Sequence, residues 1–538
     1  MMASAIALLA QPHGEKEPPA VLFKGLSDLH HKVTTKNTEA QAFFDQGLRL
    51  LYAFNHDESR RSFQRAADLD PDLAMAHWGI ALAVGPNYNA DADAEQRKMA
   101  YHAIQKAIKL NAKASESEKQ YIAALARRYS EDPKADKAKL GLAYKEAMGA
   151  LSKRYPDDLD AATLYAESAM NLRPWELWSL DGKPREGTEE LVAVLESVLR
   201  RNPDHIGANH YYIHAVEASR MPERGLEAAR RLGTLAPGAG HLVHMPAHIY
   251  HRVGDYAAAA EANEKAAAVD REYIHKHKVH GIYPMMYYSH NLHFLAVANA
   301  MQGRHTEAKK AAEQLTAHVG PHVKDMPMLE GFMPTPTLIA VRFRRWDDIM
   351  KLPEPDKGQA IHRGIWHFAR GLALANRADD VAARKELLSF NELLGTLPKE
   401  AMPGERNAAR TVFVIPQKIL GAQIDLARDP KDNAPLAFLK AAIAAEDALN
   451  YMEPADWYLH VRETLGGVLL RAGQAAEAEK VFRADLERNR RNGRSLFGLM
   501  KSLEAQGKMY EAQMVRQQFE AAWRNADAEF KKLRVEDL

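Results

Sequence analysis

A repeating pattern of aromatic, glycine, alanine and proline residues constrains this chain more than any other sequence feature. Its first copy consists of Phe43, Gly47, Leu50, Ser59, Phe63, Ala66 and Pro71. The spacing matches a 34-residue helix–turn–helix unit, in which small residues allow close helix contact and an aromatic ring fills the wedge between helices. Proline then ends the second helix. Gln46 departs from the pattern, which usually has Leu before the glycine.

The same pattern recurs along the chain, with insertions between some copies. Further copies are marked by Gly254 with Ala259 and Ala266, Gly303 with Ala308 and Ala312, Gly466 with Ala478 and Phe482, and Gly498 with Ala512 and Phe519. Alternating runs of Val, Ile and Thr, which are typical of strands, are nearly absent. The sequence therefore predicts an all-α fold.

These residues resemble the tetratricopeptide-repeat (TPR) superfamily over nearly all of residues 38–525. The resemblance implies a right-handed superhelical solenoid of about nine or ten helical hairpins. Three motifs are similar to those of a group of large, poorly characterised bacterial TPR proteins: Arg173–Trp178 (RPWELW, the pattern RPWxLW), His244–Tyr250 (HMPAHIY, the pattern HMPxHIY) and Ser289–Phe294 (SHNLHF). This narrower resemblance implies the fold and supplies no activity.

Composition excludes several classes of function. The chain has 72 basic and 71 acidic residues, a net charge of +1, which argues against a nucleic-acid partner. No apolar stretch reaches the ~18 residues that a membrane span needs. Cysteine is absent, so disulfides, thiolate metal sites and haem attached through CxxCH are excluded. No nucleotide-binding glycine motif or HExxH zinc motif is present.

Interruptions of the repeat predict the domain organisation. Residues 1–35 are expected to be a leader or disordered tail, 36–323 an N-terminal solenoid, 324–360 a Pro/Met-rich irregular junction and 361–538 a C-terminal solenoid. Ala3–Ala10 resembles the apolar core of a secretory signal but lacks a preceding positive segment. We therefore expect a periplasmic or secreted protein, and a cytoplasmic one if this segment is not a signal.

Histidines stand at matching positions of three consecutive repeats. His210 and His214 are four residues apart and share one helical face with Glu217, which gives the pattern HxxxHxxE, and the next repeat contains a similar HxxxHxxH series. In the TPR family, repeat positions 2, 5, 9 and 12 look into the concave groove. The predicted metal ligands are His210, His214, Glu217, His244, His248, His251, His290 and His293.

Imidazole and carboxylate ligands suit Cu, Zn or Fe, and the supply of ligands exceeds the four that one zinc ion takes. A dinuclear site and a single site with orienting histidines both remain open. Glu217 is the candidate base of a metalloenzyme, either an oxidoreductase or a hydrolase. The alternative is a metal-free TPR scaffold whose groove binds a peptide or partner protein.

Aromatic and acidic residues near these histidines complete the predicted groove. The residues expected to line or cover it are Trp175, Trp178, Tyr211, Tyr250 and Glu167. Trp175 and Trp178 belong to a segment that is too long and aromatic for an ordinary repeat turn, and long structured loops are often functional.

Overall fold

The computed structural model describes residues 20–404, 406–429 and 432–538. This part of the chain divides into two compact units. The first unit contains residues 20–249 and 265–284, and the second contains 250–264 and 285–538. Two of the boundaries between the units fall inside helices, which are named α12 and α13 below. Each of these two helices therefore contributes residues to both units.

The first unit is built from helices that pair in sequence order. They are α1 (Thr38–Tyr52), α2 (His56–Leu69), α3 (Ala74–Val84), α4 (Ala94–Leu110), α5 (Glu116–Ala126), α6 (Lys137–Arg154), α7 (Leu159–Met170), α8 (Thr188–Arg201), α9 (Ile206–Glu217), α10 (Leu226–Leu235) and α11 (Gly240–His244). Helices α12 (Pro246–Arg252) and α13 (Tyr256–His277) follow, then a π-helical turn at Tyr283–Tyr288.

The second unit continues the succession of helices to the C-terminus. They are α14 (Ser289–Met301), α15 (His305–Val319), α16 (Thr335–Arg342), α17 (Trp346–Ile349), α18 (Ala360–Asn376), α19 (Asp380–Thr396), α20 (Ala409–Val412), α21 (Val414–Arg428), α22 (Pro435–Asp447), α23 (Val461–Arg471), α24 (Ala475–Arg488), α25 (Gly493–Ala505) and α26 (Met509–Ala522). Short 3-10 helices lie at Asn111–Lys113, Pro222–Gly225, Gly320–His322, Pro327–Phe332, Ala528–Phe530 and Val535–Asp537.

The residues of the first repeat have the roles that the pattern predicts. Asn37 caps α1 by accepting hydrogen bonds from the backbone N–H groups of Glu39 and Ala40. The ring of Phe63, on α2, fills the space between α1 and α3. A methyl group at Gly47 or Gly79 would approach this ring to 2.7 and 2.4 Å, so only glycine fits at both positions.

The second unit repeats this arrangement around Phe482 on α24. Methyl groups at Gly466 and Gly498 would approach the Phe482 ring to 2.3 and 2.2 Å. The described residues form no strands, and their only bridge of the extended type joins Trp178 and Pro184. The predicted fold class, an all-α solenoid of TPR-like helical hairpins, is confirmed.

The N-terminal segment of the described chain runs over the first unit without regular structure. In residues 20–35, the Phe23 N–H donates to Gln46 Oε1 at 2.6 Å, and the Thr34 N–H donates to Glu118 Oε1 at 2.7 Å. This part of the predicted leader or tail is therefore held by specific hydrogen bonds. Ala3–Ala10, on which the expected export signal rests, lies outside the described residues.

Residues 324–360 lie within the second unit. They include one 3-10 helix and the short helices α16 and α17. The placement of a domain junction at this segment stays a prediction. Among the described residues, no helix is both long enough and apolar enough to cross a membrane.

Candidate metal centre

Helix α9 carries three of the predicted site residues on one buried face. The ring of His205 caps the start of α9, because its Nδ1 accepts a hydrogen bond of 3.1 Å from the Ala208 N–H. Its Nε2 lies 3.3 Å from Asp160 on α7. One turn further along, His210 and His214 project from the same face of α9, and Glu217 ends the helix.

Helices α11 and α12 carry the next three histidines across a proline. Pro246 is the first residue of α12, where its missing N–H removes no helical hydrogen bond. The Met245 N–H still donates to the His241 carbonyl oxygen at 3.0 Å, so the two short helices continue almost the same path. As a result, His241, His244 and His248 face the same side of the chain.

We call the five imidazoles of the first unit the histidine cluster: His210, His214, His241, His244 and His248. All five side chains are buried, with 4% exposure or less. Ring centroids are 4.9 Å apart for His210 and His214, 4.9 Å for His210 and His241, and 4.7 Å for His244 and His248. The cluster is thus a contiguous group of polar rings inside the first unit.

Hydrogen bonds fix the protonation of three rings in the histidine cluster. Nδ1 of His210 lies 2.6 Å from the Tyr52 carbonyl oxygen, which can only accept. Nδ1 of His214 lies 2.8 Å from Glu217 Oε1, and Nδ1 of His248 lies 2.5 Å from Glu217 Oε2. In a neutral imidazole the second nitrogen then carries a lone pair. The Nε2 atoms of these three rings are therefore acceptors or metal ligands.

Burial favours the neutral form of three imidazoles in the cluster. It lowers the pKa of His210 and His241 well below the ordinary value, and the neighbouring imidazoles lower it further. It also lowers the pKa of His214, although Glu217 opposes this. For Glu217, burial opposes ionisation, but His248 and His214 hold the pKa of the carboxyl below its usual range. Three of the five imidazoles therefore favour the neutral form, and the carboxyl beside them favours the ionised form.

The Nε2 atoms of the cluster approach one another closely. His210 Nε2 lies 3.1 Å from His241 Nε2, and His244 Nε2 lies 2.7 Å from His248 Nε2. His210, His214 and His241 each offer one ring nitrogen within 4.8 Å of the others. Two nitrogens bound to one tetrahedral zinc ion at ~2.0–2.1 Å stand roughly 3.3 Å apart. The spacing of His210 and His241 is therefore close to that of two ligands of one ion.

The aromatic rings of Phe54 and Trp175 pack against the cluster. Phe54 has a positive φ of 55°, which is unusual for a bulky residue, and its ring lies 4.4 Å from that of His210 and 5.7 Å from that of His214. Trp175 also has a positive φ, 62°, and its ring lies 5.6 Å from His214. Strained backbone of this kind persists where the surroundings require it. Both rings pack against that of His214.

The structure places the other predicted lining residues as follows. Trp178 Nε1 donates to the Ala215 carbonyl oxygen at 2.7 Å, so the Trp175–Gly187 loop is anchored on α9. Tyr211 is buried, and the centroid of its ring lies 5.6 Å from that of His210. Glu167 is buried on α7 and accepts a hydrogen bond from Asn171. Tyr250 is half-buried and belongs to the second unit.

Three predicted ligands also belong to the second unit. His251 contacts the edges of Tyr256 and Phe294, and His290 contacts Phe294. His293 lies between Phe332 and Tyr458, and burial lowers its pKa to about 4. Their membership of the same metal site as His210 stays a prediction.

The structure adds one histidine to the predicted set and a second role to Glu217. His241 was not among the predicted ligands, although it stands at repeat position 2, one of the positions that the family directs inward, and three residues before His244. Glu217 was predicted as a ligand and candidate base. Both of its oxygens accept hydrogen bonds from Nδ1 atoms, so its geometry suits the orientation of His214 and His248. Glu217, His214 and His248 also offer atoms close enough to hold one metal ion, so the predicted role of Glu217 as a ligand stays a prediction. The low pKa of Glu217 also makes it a weak base.

No family model matches the sequence, and no curated protein matches it. Solved structures with a similar course of the chain include a human IFIT1 dimer with m7Gppp-AAAA, at 14% identity over 91% of each chain and a TM-score of 0.35. Yeast Tom70 has 15% identity over 91% of this chain and 93% of its own, with a TM-score of 0.29. Naa15/Naa10 bound to HypK-THB has 12% identity, coverage of 90% and 84%, and a TM-score of 0.24.

The fold and the site together define a class of protein. It is an all-α protein of TPR-like helical hairpins whose first unit encloses a buried cluster of five histidines around one carboxylate.

Proposed function

We propose that this protein is a metalloprotein that binds a transition metal ion, Cu, Zn or Fe, through the Nε2 atoms of the histidine cluster. The observation that carries the proposal is the hydrogen bonding of the opposite ring nitrogens. His210, His214 and His248 each direct Nδ1 to an oxygen acceptor, which leaves their Nε2 lone pairs directed into the cluster. This is the arrangement in which metal-bound histidines are held by a carboxylate or carbonyl.

A metal ion satisfies groups that hydrogen bonds alone leave unsatisfied. His241 Nε2 can donate to His210 Nε2, and His244 Nε2 can donate to His248 Nε2. These four nitrogens therefore have hydrogen-bond partners without a metal. His214 Nε2, in contrast, is buried and has no hydrogen-bond partner among the described residues. A buried lone pair without a partner is costly. A cation bound at His214, His210 and His241 satisfies all three nitrogens at once.

The donor set limits the metals. No thiolate is available, because the chain has no cysteine. Neutral imidazoles suit Zn, Cu and non-haem Fe, and the Glu217 carboxylate offsets part of the ion's charge through the two rings. The His244–His248 pair offers ligands for a second ion or a fourth ligand for the first. An ion held by three imidazoles keeps a position for water or substrate, which is the basis for proposing a metalloenzyme, either an oxidoreductase or a hydrolase.

The alternative, a metal-free scaffold that binds a peptide through these histidines, fits their burial less well. His210 and His244 have 0% exposure and His248 has 1%. A groove residue that contacts a peptide must be reachable from solvent before binding. Peptide binding elsewhere on the protein remains an alternative function for the fold, since fold does not determine function.

The proposal is tested by elemental analysis of untagged, full-length protein by plasma mass spectrometry. We expect about one or two Cu, Zn or Fe ions per chain. Combined His214→Ala and His248→Ala substitutions should reduce this content at least tenfold. They remove two ligands and both imidazoles that Glu217 orients. The matched control combines His275→Ala and His280→Ala, two exposed histidines of the same unit.

The control should keep the metal content of the unsubstituted protein. A protein that is isolated without metal and takes up none of the three ions when they are added would contradict the proposal. So would an equal loss of metal in the control variant.

A further inference from the structure

Residues 533–538 are held by arginines from three different elements of the second unit. Each arginine donates a hydrogen bond to one of three successive backbone carbonyl groups: Arg471 to Val535 at 3.1 Å, Arg344 to Glu536 at 2.6 Å and Arg494 to Asp537. Arg471 lies on α23 and Arg494 on α25, whereas Arg344 lies between α16 and α17. Hydrogen bonds to the main chain of a peptide supply affinity, and side-chain pockets supply specificity.

The side chain of Leu538 occupies a space that a glycine leaves open. Leu538 is 4% exposed and belongs to the hydrophobic core of the second unit. A methyl group at Gly467, on α23, would approach the Leu538 Cβ to 2.7 Å. Glycine inside a helix is destabilising relative to alanine, so its presence here is explained by the close approach of Leu538. We call Gly467, Arg344, Arg471 and Arg494 the arginine site.

Two arginines of the arginine site have no carboxylate of their own. Arg494 pairs with Glu463 at 2.6 Å, whereas no described carboxylate oxygen lies within 4.0 Å of the nitrogens of Arg344 or Arg471. Partial burial lowers the pKa of both, and the carboxylates that oppose this shift belong to residues 533–538: Asp537 for Arg344 and Glu536 for Arg471. The site therefore has a positive charge that suits an acidic segment.

The segment is joined to the rest of the second unit by two exposed residues, Lys531 and Lys532. The chain before them is anchored separately. Trp523 Nε1 donates to the Phe530 carbonyl oxygen at 2.9 Å, and the centroid of the Phe530 ring lies 4.7 Å from that of Phe343. A ligand on so short a tether has an effective concentration of about millimolar, so a competing peptide binds more weakly while the tethered one is in place.

We propose that residues 533–538 are an intramolecular ligand of the arginine site, which binds a segment of the same chemistry from a partner protein once they are displaced. The chemistry is a turn with two acidic residues followed by leucine. Val535–Asp537 form a 3-10 turn, and the Asp537 carboxylate accepts a hydrogen bond of 2.8 Å from the Arg534 N–H. The turn presents its carbonyl groups to the arginines while the leucine packs over Gly467. This site lies in the second unit, so the inference goes beyond the proposed function.

The test uses the full-length protein and a fluorescently labelled peptide that copies residues 531–538, with binding followed by fluorescence anisotropy. Leu538→Asp should release the chain's own segment, because a charge cannot be buried over Gly467 without a partner. This variant should bind the peptide roughly tenfold more tightly than the unsubstituted protein, since the tethered competitor is removed. A peptide with the changes Glu536→Gln and Asp537→Asn should bind roughly tenfold more weakly.

Two further substitutions, each combined with Leu538→Asp, locate the binding. Gly467→Ala places a methyl group where the leucine of the peptide packs, and should weaken binding roughly tenfold. Its matched control is Gly421→Ala on α21, where a methyl group would meet no other described part of the chain within 4 Å. Arg471→Met should also weaken binding roughly tenfold, whereas Arg483→Met, at an exposed position of α24, should leave it unchanged.

Hydrogen exchange of the unsubstituted protein distinguishes a displaceable segment from a fixed structural one, and does not depend on the folding of any variant. Saturating isotope-labelled peptide should accelerate amide exchange in residues 533–538 of the protein and leave α21 unchanged. Absence of this acceleration would overturn the proposal, as would equal peptide binding with Gly467→Ala. Dimers of the unsubstituted protein that Leu538→Asp abolishes would also overturn it, because the segment would then be exchanged between copies. Peptide binding should be the same in metal-free protein, so this proposal and the proposed function can fail separately.

Discussion

At the scale of single residues, Glu217 holds two imidazoles with one carboxylate. Its two oxygens accept from Nδ1 of His214 on its own helix and of His248 on α12. A single residue thus sets the tautomer and orientation of rings that come from two different repeats. Loss of such a partner commonly reduces metal affinity 10- to 100-fold.

The variant Glu217→Gln tests this role. An amide offers one acceptor oxygen, and its NH₂ group would face the second ring and force that ring into the opposite tautomer. We expect metal affinity to fall roughly 10- to 100-fold, measured by competition with a chromophoric chelator. Glu227→Gln, at an exposed position, is the control and should have no effect. Unchanged affinity in Glu217→Gln would show that the carboxylate does not orient the rings.

Sequence spacing predicted the residues of the cluster better than their roles. The i, i+4 pairs His210/His214 and His244/His248 follow from helix geometry alone. The assignment of Glu217 as a ligand stays a prediction, because spacing shows which residues share a face but not which atoms are in contact. The role of Tyr52 as acceptor for His210 was also beyond spacing, since its carbonyl oxygen is 158 residues away in sequence.

At the scale of elements, the N-terminal segment is hydrogen-bonded to α7, which lies two helices before α9 in the sequence. Nδ1 of His31 lies 2.8 Å from Asp160 Oδ2 on α7, and the Tyr52 hydroxyl donates to Asp160 Oδ1 at 2.7 Å. Because His205 also approaches Asp160, this one carboxylate joins the segment, α1, α7 and the start of α9. The position of α9, and hence of the cluster, depends on this junction.

This junction predicts a pH dependence of stability. Burial alone would lower the pKa of His31, but the hydrogen bond and charge of Asp160, with Asp158 and Asp45, raise it to about 9. Since the folded pKa exceeds the ordinary 6.5, the stabilisation is fully present below pH 6.5 and is lost as the pH rises to about 9. The rise corresponds to roughly 3 kcal/mol at most.

The measurement is urea unfolding of metal-free protein at pH 6.5 and 9.5. His31→Gln should lose most of the difference in unfolding free energy between these pH values. His30→Gln should keep it, since His30 is largely exposed and pairs with Asp45. If the His31 variant keeps the full difference, the ion pair does not stabilise the fold in this range.

The elements themselves were largely predictable, and the connections were less so. Glycine and aromatic spacing predicted the contact of Gly47 with Phe63 because the repeat specifies both partners. The path of residues 20–35 was not predictable, because its contacts with Gln46 and Glu118 depend on helices distant in sequence and no local periodicity encodes them.

At the scale of the whole molecule, the site lies in one of two compact units. A ligand that binds only the folded state stabilises that state, by about 2.7 kcal/mol at 100 times its dissociation constant. Metal removal should therefore increase amide hydrogen exchange in α9 and α11 of the first unit. Helices α23–α25 of the second unit should keep their exchange rates, and equal acceleration in both units would contradict a site confined to the first.

The repeat predicted the fold class of the whole molecule, since each hairpin must bury its apolar face against a neighbour. The boundaries between the two units, after residues 249, 264 and 284, were not predicted. No change of composition marks those positions in the sequence.

The most direct test of the central claim is X-ray absorption spectroscopy of the protein loaded with its metal. Nε2 ligation by the histidine cluster predicts a first shell of nitrogen at ~2.0–2.1 Å for zinc, with the outer-shell scattering of at least three imidazole rings and no sulfur. This signal should disappear in the variant with His214→Ala and His248→Ala. A first shell of oxygen without imidazole scattering, or one unchanged in that variant, would contradict the claim.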